Sequence, residues 1–417
     1  MKVKKVTDME TYYRPTRAEI NVDALRHNIK AFREAHPHEV KLSLCVKANA
    51  YGHGAIEVAR VAEQAGADYL NTAFFDEAIQ LRHSGVVMPI LVLGYTPPEG
   101  IPTAFCHNIT LNVFSQEVLE ELENVSSSLS ASFGGRRLKV HVKIDSGMGR
   151  LGLRTPEDAV AFMTRLSAID GVEVEGVFTH FACADEADKS YTTMQHQRFQ
   201  AVLEALEQAE LLPPVIHASN SAAAIDTPQY AHNMVRIGVS LYGLYPSAEV
   251  NHQTINLQPV LALKTKVVHV KQVEAGEAIS YGARYHTQAG EWIATIPIGY
   301  ADGYSRLLTG KAEVLVRGRR VPVVGTICMD QCMLSLSVLG EEAGNIQTGE
   351  EVVLIGSQGS QQILIDEVAD KLNTIHYEVA CMLAHRIPRV YVSAMEPDIV
   401  VNPLWHSSSD ASDCTSC

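Results

Sequence analysis

Residues 41–66 read KLSLCVKANAYGHGAIEVARVAEQAG, and the change of period within this stretch decides the fold. The run 41–47 is a short apolar segment of strand length, whereas 54–66 spaces its apolar residues as a helix does. A strand passing at once into a helix is one βα unit, and the pattern recurs through the first part of the chain. Strand-like runs lie at 41–47, 69–73, 89–93, 109–113, 139–144, 174–179, 215–218 and 235–239, with helical segments such as 54–66, 156–169 and 191–211 among them. Eight strands separated by helical patterns predict parallel βαβ units closed into a (β/α)8 TIM-type barrel, an α/β fold.

Past residue 256 the rhythm changes. Runs at 260–273, 291–298, 312–317, 320–325, 332–338 and 351–356 are rich in β-branched residues and separated by glycine-bearing turns. Closely spaced strands without helices predict a mostly-β domain, interrupted by one helical segment at 365–375. The expected organisation is a barrel over 14–255, a β-domain over 256–400 and a disordered polar tail over 401–417. Two domains suit a 417-residue chain, because a single core stops growing at roughly 250–300 residues.

Composition excludes several classes of function. A formal net charge of -14 opposes binding to a phosphate backbone, which basic surfaces perform. The start, 1–13, lacks the apolar core of a secretory signal, and no stretch approaches the ~18 apolar residues of a membrane span. Cytoplasmic location is the expectation. The eight cysteines are scattered, several within apolar runs, as buried thiols in a reducing compartment would be. Cys414 and Cys417 form a C-x-x-C in the polar tail, with no element to hold it. The 17 histidines include no H-E-x-x-H and no paired Cys/His spacing, so no metal site is signalled.

In such barrels the chemistry sits at the C-terminal ends of the strands. Those ends carry Lys47, Arg150 shortly after the fifth strand, His180 after the sixth, Ser219 after the seventh, and Arg236 with Gly238 on the eighth. Each alone is compatible with a solvated or structural side chain; together they form a polar set flanked by apolar runs. Loops after strands seven and eight commonly bind phosphate, and here they read HASNSAA and VRIGVSLYG. Ser219 offers a hydroxyl or a helix cap, and Gly238 lets backbone N–H groups approach an anion. GMGRLG at 147–152 matches G-x-G-x-x-G, but its place at the fifth strand of a barrel makes it a tight loop carrying Arg150 rather than a dinucleotide fingerprint.

VKANAYGHG (46–54), KIDSGMGRLG (143–152), THFACADE (179–186), HASNSAA (217–223), NMVRIGVSLYG (233–243), SYGA (280–283), IPIGYADG (296–303), VGTICMDQCM (324–333) and TIHYEVAC (374–381) resemble alanine racemase. The resemblance covers roughly residues 14–392. It implies a fold type III pyridoxal 5′-phosphate enzyme, working as a homodimer, that interconverts L- and D-alanine and supplies D-alanine for peptidoglycan. Carried over by position, Lys47 is the lysine bearing the cofactor. Tyr51, Ser219, Gly238, Val239 and Tyr377 match phosphate-contacting positions. Arg236 matches the arginine facing the pyridine nitrogen, and Arg150 the one near the phenolic oxygen. Tyr281 is the second base, donated by the partner subunit, with Met329 and Asp330 on the substrate side. Tyr300 and Arg306, with Tyr377, line the substrate entrance.

Racemisation removes a proton from one face of Cα and returns one to the other, so Lys47 and Tyr281 on opposite faces suffice. Free lysine (≈ 10.4) and tyrosine (≈ 10) are poor bases at neutral pH unless their surroundings lower those values. Cationic His180 and Arg150 are expected to favour the phenolate of Tyr281. Arg236 cannot accept a proton, and so leaves the pyridine nitrogen unprotonated and side reactions such as transamination disfavoured. Lys143 shares the interior face of its strand with His141 and Asp145; the resemblance implies a carbamylated lysine holding Arg150, and pairing with Asp145 is the alternative. Other readings are a serine, lysine or broad-specificity racemase, a decarboxylase, which Arg236 disfavours, and a non-catalytic cofactor-binding protein, which Tyr281 and its domain disfavour.

Overall fold

The computed structural model of the protein describes residues 12–288 and 290–405, and the chain folds as two units. The barrel unit spans Ala24–Ala50 and Gly54–Pro259; the β unit gathers the described residues before Ala24, Tyr51–His53, and those from Val260 on. The sequence reading starts the barrel domain at residue 14, but β1 (Arg17–Asn21) pairs antiparallel with Leu261–Lys266 and parallel with Arg389–Val392, which places it in the β unit. Propensity marks 17–21 as a strand without revealing its partners.

Eight strands build the barrel unit: β2 (Lys41–Cys45), β3 (Tyr69–Thr72), β4 (Ile90–Val92), β5 (Thr110–Val113), β6 (Leu138–Lys143), β7 (Val172–Phe178), β8 (Val215–His217) and β9 (Met234–Ile237). They are the eight apolar runs of the sequence. Their order, β8-β7-β6-β5-β4-β3-β2-β9, follows the chain around a ring. β9 returns to β2 in parallel, with Lys41 opposite Met234. The backbone bonds Asn233 N–H to Ile216 O (3.3 Å) and Arg236 N–H to Ser219 O (3.0 Å) draw β8 toward β9.

Barrel strands are covered on both faces, which is why they read as nearly continuous apolar runs. Val140 and Val142 on one face of β6 and His141 and Lys143 on the other are all buried. Gly176 on β7 admits the imidazole: a Cβ there would lie 2.5 Å from Nδ1 of His141. Among the surrounding helices, Pro156–Ser167 starts with proline in its first turn, and the hydroxyl of Thr155 accepts from Asp158 N–H at 3.1 Å.

In the β unit one sheet runs in the order His269–Val273, Glu291–Ile296, Cys332–Ser335, Arg319–Val324, Glu313–Val316, Glu351–Gln358, Leu261–Lys266, β1, Arg389–Val392, Ile399–Val401. The helical segment expected at 365–375 resolves into Ile365–Leu372 and His376–Cys381, with Asn373 (φ 57°) ending the first. Order also passes the boundary expected at 400. Ile399–Val401 pairs with Arg389–Tyr391, and the ring of Trp405 lies 5.3 Å from that of Tyr13. The remainder of the tail, with Cys414 and Cys417, lies outside the described residues. No helix among the described residues is long and apolar enough to cross a membrane.

Candidate active site

Lys47 lies two residues past the end of β2 and is half-buried. The next four residues, Ala48, Asn49, Ala50 and Tyr51, all have φ between 51 and 54°. A left-handed turn costs L-residues roughly 1–2 kcal/mol each, so the surroundings must hold it. Glu77 accepts from Ala48 N–H at 2.6 Å through one carboxylate oxygen, and from Ala73 N–H (2.8 Å) and Phe74 N–H (3.1 Å) through the other. The side chain of Asn49 accepts from Ala55 N–H at 2.9 Å, and its carbonyl from Gly54 N–H at 2.9 Å. Lys47 therefore projects from a strained but fully tied turn, a feature common where a functional group must be aimed.

The loop 147–152 presents Arg150 in a similar way. Oδ1 of Asp145 accepts from Gly147 N–H (3.1 Å) and Gly149 N–H (2.9 Å), and a Cβ on Gly152 (φ 123°) would lie 2.6 Å from the Asp145 nitrogen. It is the tight loop expected of GMGRLG.

Arg236 is buried, and its guanidinium donates to Nδ1 of His217 (2.7 Å), Thr179 O (2.9 Å), Ala218 O (2.9 Å) and Nδ1 of His180 (3.3 Å). Burial pulls its pKa down to about 10, which still leaves it a cation at neutral pH. Because arginine only donates, Nδ1 of His180 accepts, and the proton of a neutral His180 sits on Nε2. Burial, and then the charges of Arg236, Lys143, Arg150 and Lys47, hold His180 well below the usual imidazole range. The expected cationic His180 is thus corrected: it is a neutral imidazole, oriented by Arg236, with an N–H to give. Lys47, Lys143, Arg150 and Arg236 thus lie close enough to act on His180, a concentration of cationic side chains within an acidic protein.

Behind Arg236 runs a buried chain that sequence reading missed. Nε2 of His217 lies 2.8 Å from Nδ1 of His141, and Nε2 of His141 lies 3.1 Å from Glu175, which also binds Lys139 at 2.5 Å. One donor fixes every tautomer: Arg236 gives to His217, His217 to His141, and His141 to Glu175. Burial would raise the Glu175 carboxyl, but hydrogen bonds from His141 and Lys139 outweigh it and hold it at about 2. Burial also holds His141 and His217 below their ordinary 6.5.

These histidines, with His180, are neutral when folded and take up protons when unfolded below 6.5. Stability is full above that value and falls as pH drops beneath it, by ~1.4 kcal/mol per pH unit per histidine. Glu175 contributes only in a lower window, from 4.5 toward 2. The thermal midpoint is therefore expected to fall steadily between pH 7 and pH 5; a flat profile would show that these imidazoles charge in place.

The structure separates the two serines of HASNS. Ser219 is buried, with its hydroxyl donated to Tyr230 O at 3.0 Å, so it faces away from the role expected of it. Asn220, not Ser219, caps the following turn, accepting from Ala223 N–H at 3.0 Å. Ser221 is the hydroxyl beside the glycine: it accepts from Gly238 N–H at 2.8 Å, and Val239 opens the adjoining turn Val239–Tyr242. Ser221, Gly238 and Val239 thus come together where the loops after β8 and β9 meet.

The β unit carries the other candidates. Tyr51 and Tyr377 stand with ring centroids 6.2 Å apart. Tyr281 is 73% exposed, in a short turn whose carbonyl accepts from the Thr326 hydroxyl at 2.8 Å. Met329 and Tyr300 are exposed and adjoin, since Tyr300 N–H donates to Cys328 O (3.1 Å) and Ala301 N–H to Met329 O (3.0 Å). Asp330 is paired with Arg386 at 2.6 Å, and Arg306 is exposed. Lys47 and Tyr281 belong to different units of the chain.

Family models described as alanine racemase, N-terminal domain and alanine racemase, C-terminal domain match residues 20–246 and 260–391. Curated relatives include an alanine racemase of Methanococcus maripaludis, 44% identical over 91% of this chain and 99% of the relative. Alanine racemase 2 of Bacillus subtilis is 43% identical over 93% and 97%. Among solved structures, alanine racemase from Bacillus anthracis with bound L-Ala-P superposes with a TM-score of 0.87 at 41% identity, covering 95% of this chain and 99% of that one. Alanine racemase of Clostridium difficile 630 gives 0.88 at 41%, covering 94% and 100%.

Proposed function

The chain belongs to the alanine racemase family, and from that premise we propose that it interconverts L- and D-alanine with Lys47 and Tyr281 as the two bases and pyridoxal 5′-phosphate as cofactor. The observation that carries the site assignment is the convergence of Lys47, Lys143, Arg150 and Arg236 around neutral His180. Such a mouth suits a dianionic phosphate and a phenolate.

The residues present fit that cofactor. Ser221, Gly238 and Val239, with Tyr51 and Tyr377, would hold the phosphate, and Lys47 would hold the aldehyde carbon. Arg236 has its Nη1 and Nη2 bonded, while Nε makes no hydrogen bond to the described residues and would be the donor to the cofactor's ring nitrogen. When bound, the cofactor supplies the electron withdrawal that acidifies Cα–H. Arg236 keeps its own proton at neutral pH, so it would give the ring nitrogen only a hydrogen bond and would limit that withdrawal.

The proton on Nε2 of His180 would be a donor for the phenolic oxygen of Tyr281 from a second copy of the chain. Tyr281, Leu307, Met329 and Ile375 are exposed apolar or aromatic groups of the β unit. Burial of such a surface against a second copy supports a homodimer that shares its sites. A cytoplasmic enzyme supplying D-alanine for peptidoglycan is the physiological side of this reading. The test is racemisation by purified holoenzyme over a panel of L-amino acids. L-alanine should exceed L-serine and L-lysine by an order of magnitude or more in kcat/KM, and a comparable rate with a larger side chain would replace alanine as the preferred substrate.

Lys143 is the second part of the proposal. Burial, then Arg236 and Arg150, hold it well below the ordinary lysine range, which favours the uncharged amine over the ammonium. Asp145 is occupied by two backbone N–H groups, and Nζ of Lys143 donates to Ile144 O at 3.2 Å. A neutral amine adds to CO2, forming an N–C bond and releasing one proton, and the resulting carbamate anion suits Arg150. With 13C-bicarbonate the protein should show a carbamate carbon resonance that Lys143→Ala lacks. A spectrum without that resonance at saturating bicarbonate leaves Lys143 a plain amine.

A further inference from the structure

An ion cluster lies behind the expected substrate-side residue Asp330. Asp302 is fully buried at the end of the turn Tyr300–Asp302, and a carboxylate survives burial only when it is paired. Its Oδ1 accepts from Nη1 of Arg14 and Nε of Arg386, both at 2.7 Å, and its Oδ2 from Gly299 N–H at 3.0 Å. Arg386 continues outward, and its Nη2 donates to Oδ1 of Asp330 at 2.6 Å. Arg14, Asp302, Arg386 and Asp330 thus alternate in sign and sum to zero.

The backbone around this cluster has no slack. The turn is bonded on one side to Cys328 and Met329, and on the other Ala384 N–H donates to Asp302 O at 3.1 Å. A Cβ on Gly299 would lie 2.2 Å from Cys328 O, and one on Gly303 would lie 2.1 Å from Met382 O. The turn bearing Tyr300 is therefore wedged between the loop of Met329 and Asp330 and the chain leaving the helix of Tyr377. Side chains as long as Tyr and Met swing freely when their loops are loose; here the loops are locked by charge and by close backbone contact.

We propose that Asp302 and Arg386 are positioning residues that fix Tyr300, Met329 and Asp330 as one rigid aperture and so restrict the substrate's side chain to methyl size. The proposal rests on the reading that these three residues face the substrate. A pocket rejects one extra hydroxyl or methylene weakly at best, and only if its walls do not yield. A buried, fully paired carboxylate at the back of the aperture supplies that stiffness.

The deciding variant is Arg386→Gln, at the partly solvent-facing end of the cluster, assayed as holoenzyme with L-alanine and L-serine. KM for L-alanine should rise about tenfold with kcat changed less than about threefold, and the serine-to-alanine ratio of kcat/KM should rise about tenfold. Arg386→Lys keeps the charge but lacks the fork that reaches two carboxylates, and should fall between the two. Asp302→Asn should shift the ratio further, at a cost in thermal midpoint. The proposal is overturned if Arg386→Gln leaves KM and the ratio unchanged while Met329→Ala moves both, or if kcat falls alone. If Met329→Ala and Tyr300→Ala move neither, the underlying reading of the entrance has failed instead.

Discussion

Lys47→Ala will abolish racemisation in both directions, by on the order of 10⁴-fold or more, and the dialysed variant will retain no covalently held cofactor. The effect should be chemical rather than structural. Lys47 is half-buried at the head of the left-handed turn, and Glu77 and Asn49 supply bonds that hold that turn. The thermal midpoint of the apoprotein should therefore stay close to wild type. Lys47→Arg sharpens the test, because it keeps the positive charge at the barrel mouth but can neither form the covalent link nor act as a base at neutral pH. It should be as inactive as Lys47→Ala, whereas an electrostatic role would leave it largely active. Cofactor that borohydride still fixes to the Lys47→Ala protein would move the assignment elsewhere, with Lys143 the first lysine to examine, since burial also pushes its pKa well below the ordinary lysine range.

How far such assignments are legible in the sequence depends on the range of the interactions. The eight barrel strands announce themselves because each is a mostly apolar run, covered on both faces, and most are followed by a helical period. β1 does not, because its partners at 261–266 and 389–392 lie more than two hundred residues away. The left-handed turn after Lys47 is written in Ala-Asn-Ala-Tyr rather than in glycines, so local conformational preference points away from it. HASNS offers two serines two residues apart; only the turn capped by Asn220 decides that Ser219 faces Tyr230 and Ser221 faces Gly238. The chain from Arg236 through His217 and His141 joins residues 19 and 76 apart, and no spacing rule proposes it. Asp302 lies inside the quoted motif IPIGYADG, yet its partners Arg14 and Arg386 are 288 and 84 residues distant. Motif reading found the wall of the aperture and missed what stiffens it.

Tyr281→Phe separates the two directions of the reaction. With Lys47 serving the D-isomer and Tyr281 the L-isomer, removing the phenolic oxygen leaves one base in place. In D2O the variant should still exchange the Cα proton of D-alanine at a rate near wild type. Exchange from L-alanine should fall by on the order of 10²–10⁴-fold, the usual contribution of a general base, and net racemisation should fall with it. The phenol is largely exposed in the single chain and its turn is held through backbone and Thr326 contacts, so loss of the hydroxyl should leave folding intact. The same variant tests whether the site is shared between copies. Lys47→Ala and Tyr281→Phe homodimers are each impaired, but subunits exchanged between them form hybrids in which one site carries both lesions and the other carries neither. Mixing and refolding should then recover about a quarter of wild-type activity, as random pairing of subunits in a two-fold dimer requires. If Tyr281 instead served the Lys47 of its own chain, each hybrid would hold one site lacking the lysine and one lacking the phenol, and mixing would recover nothing.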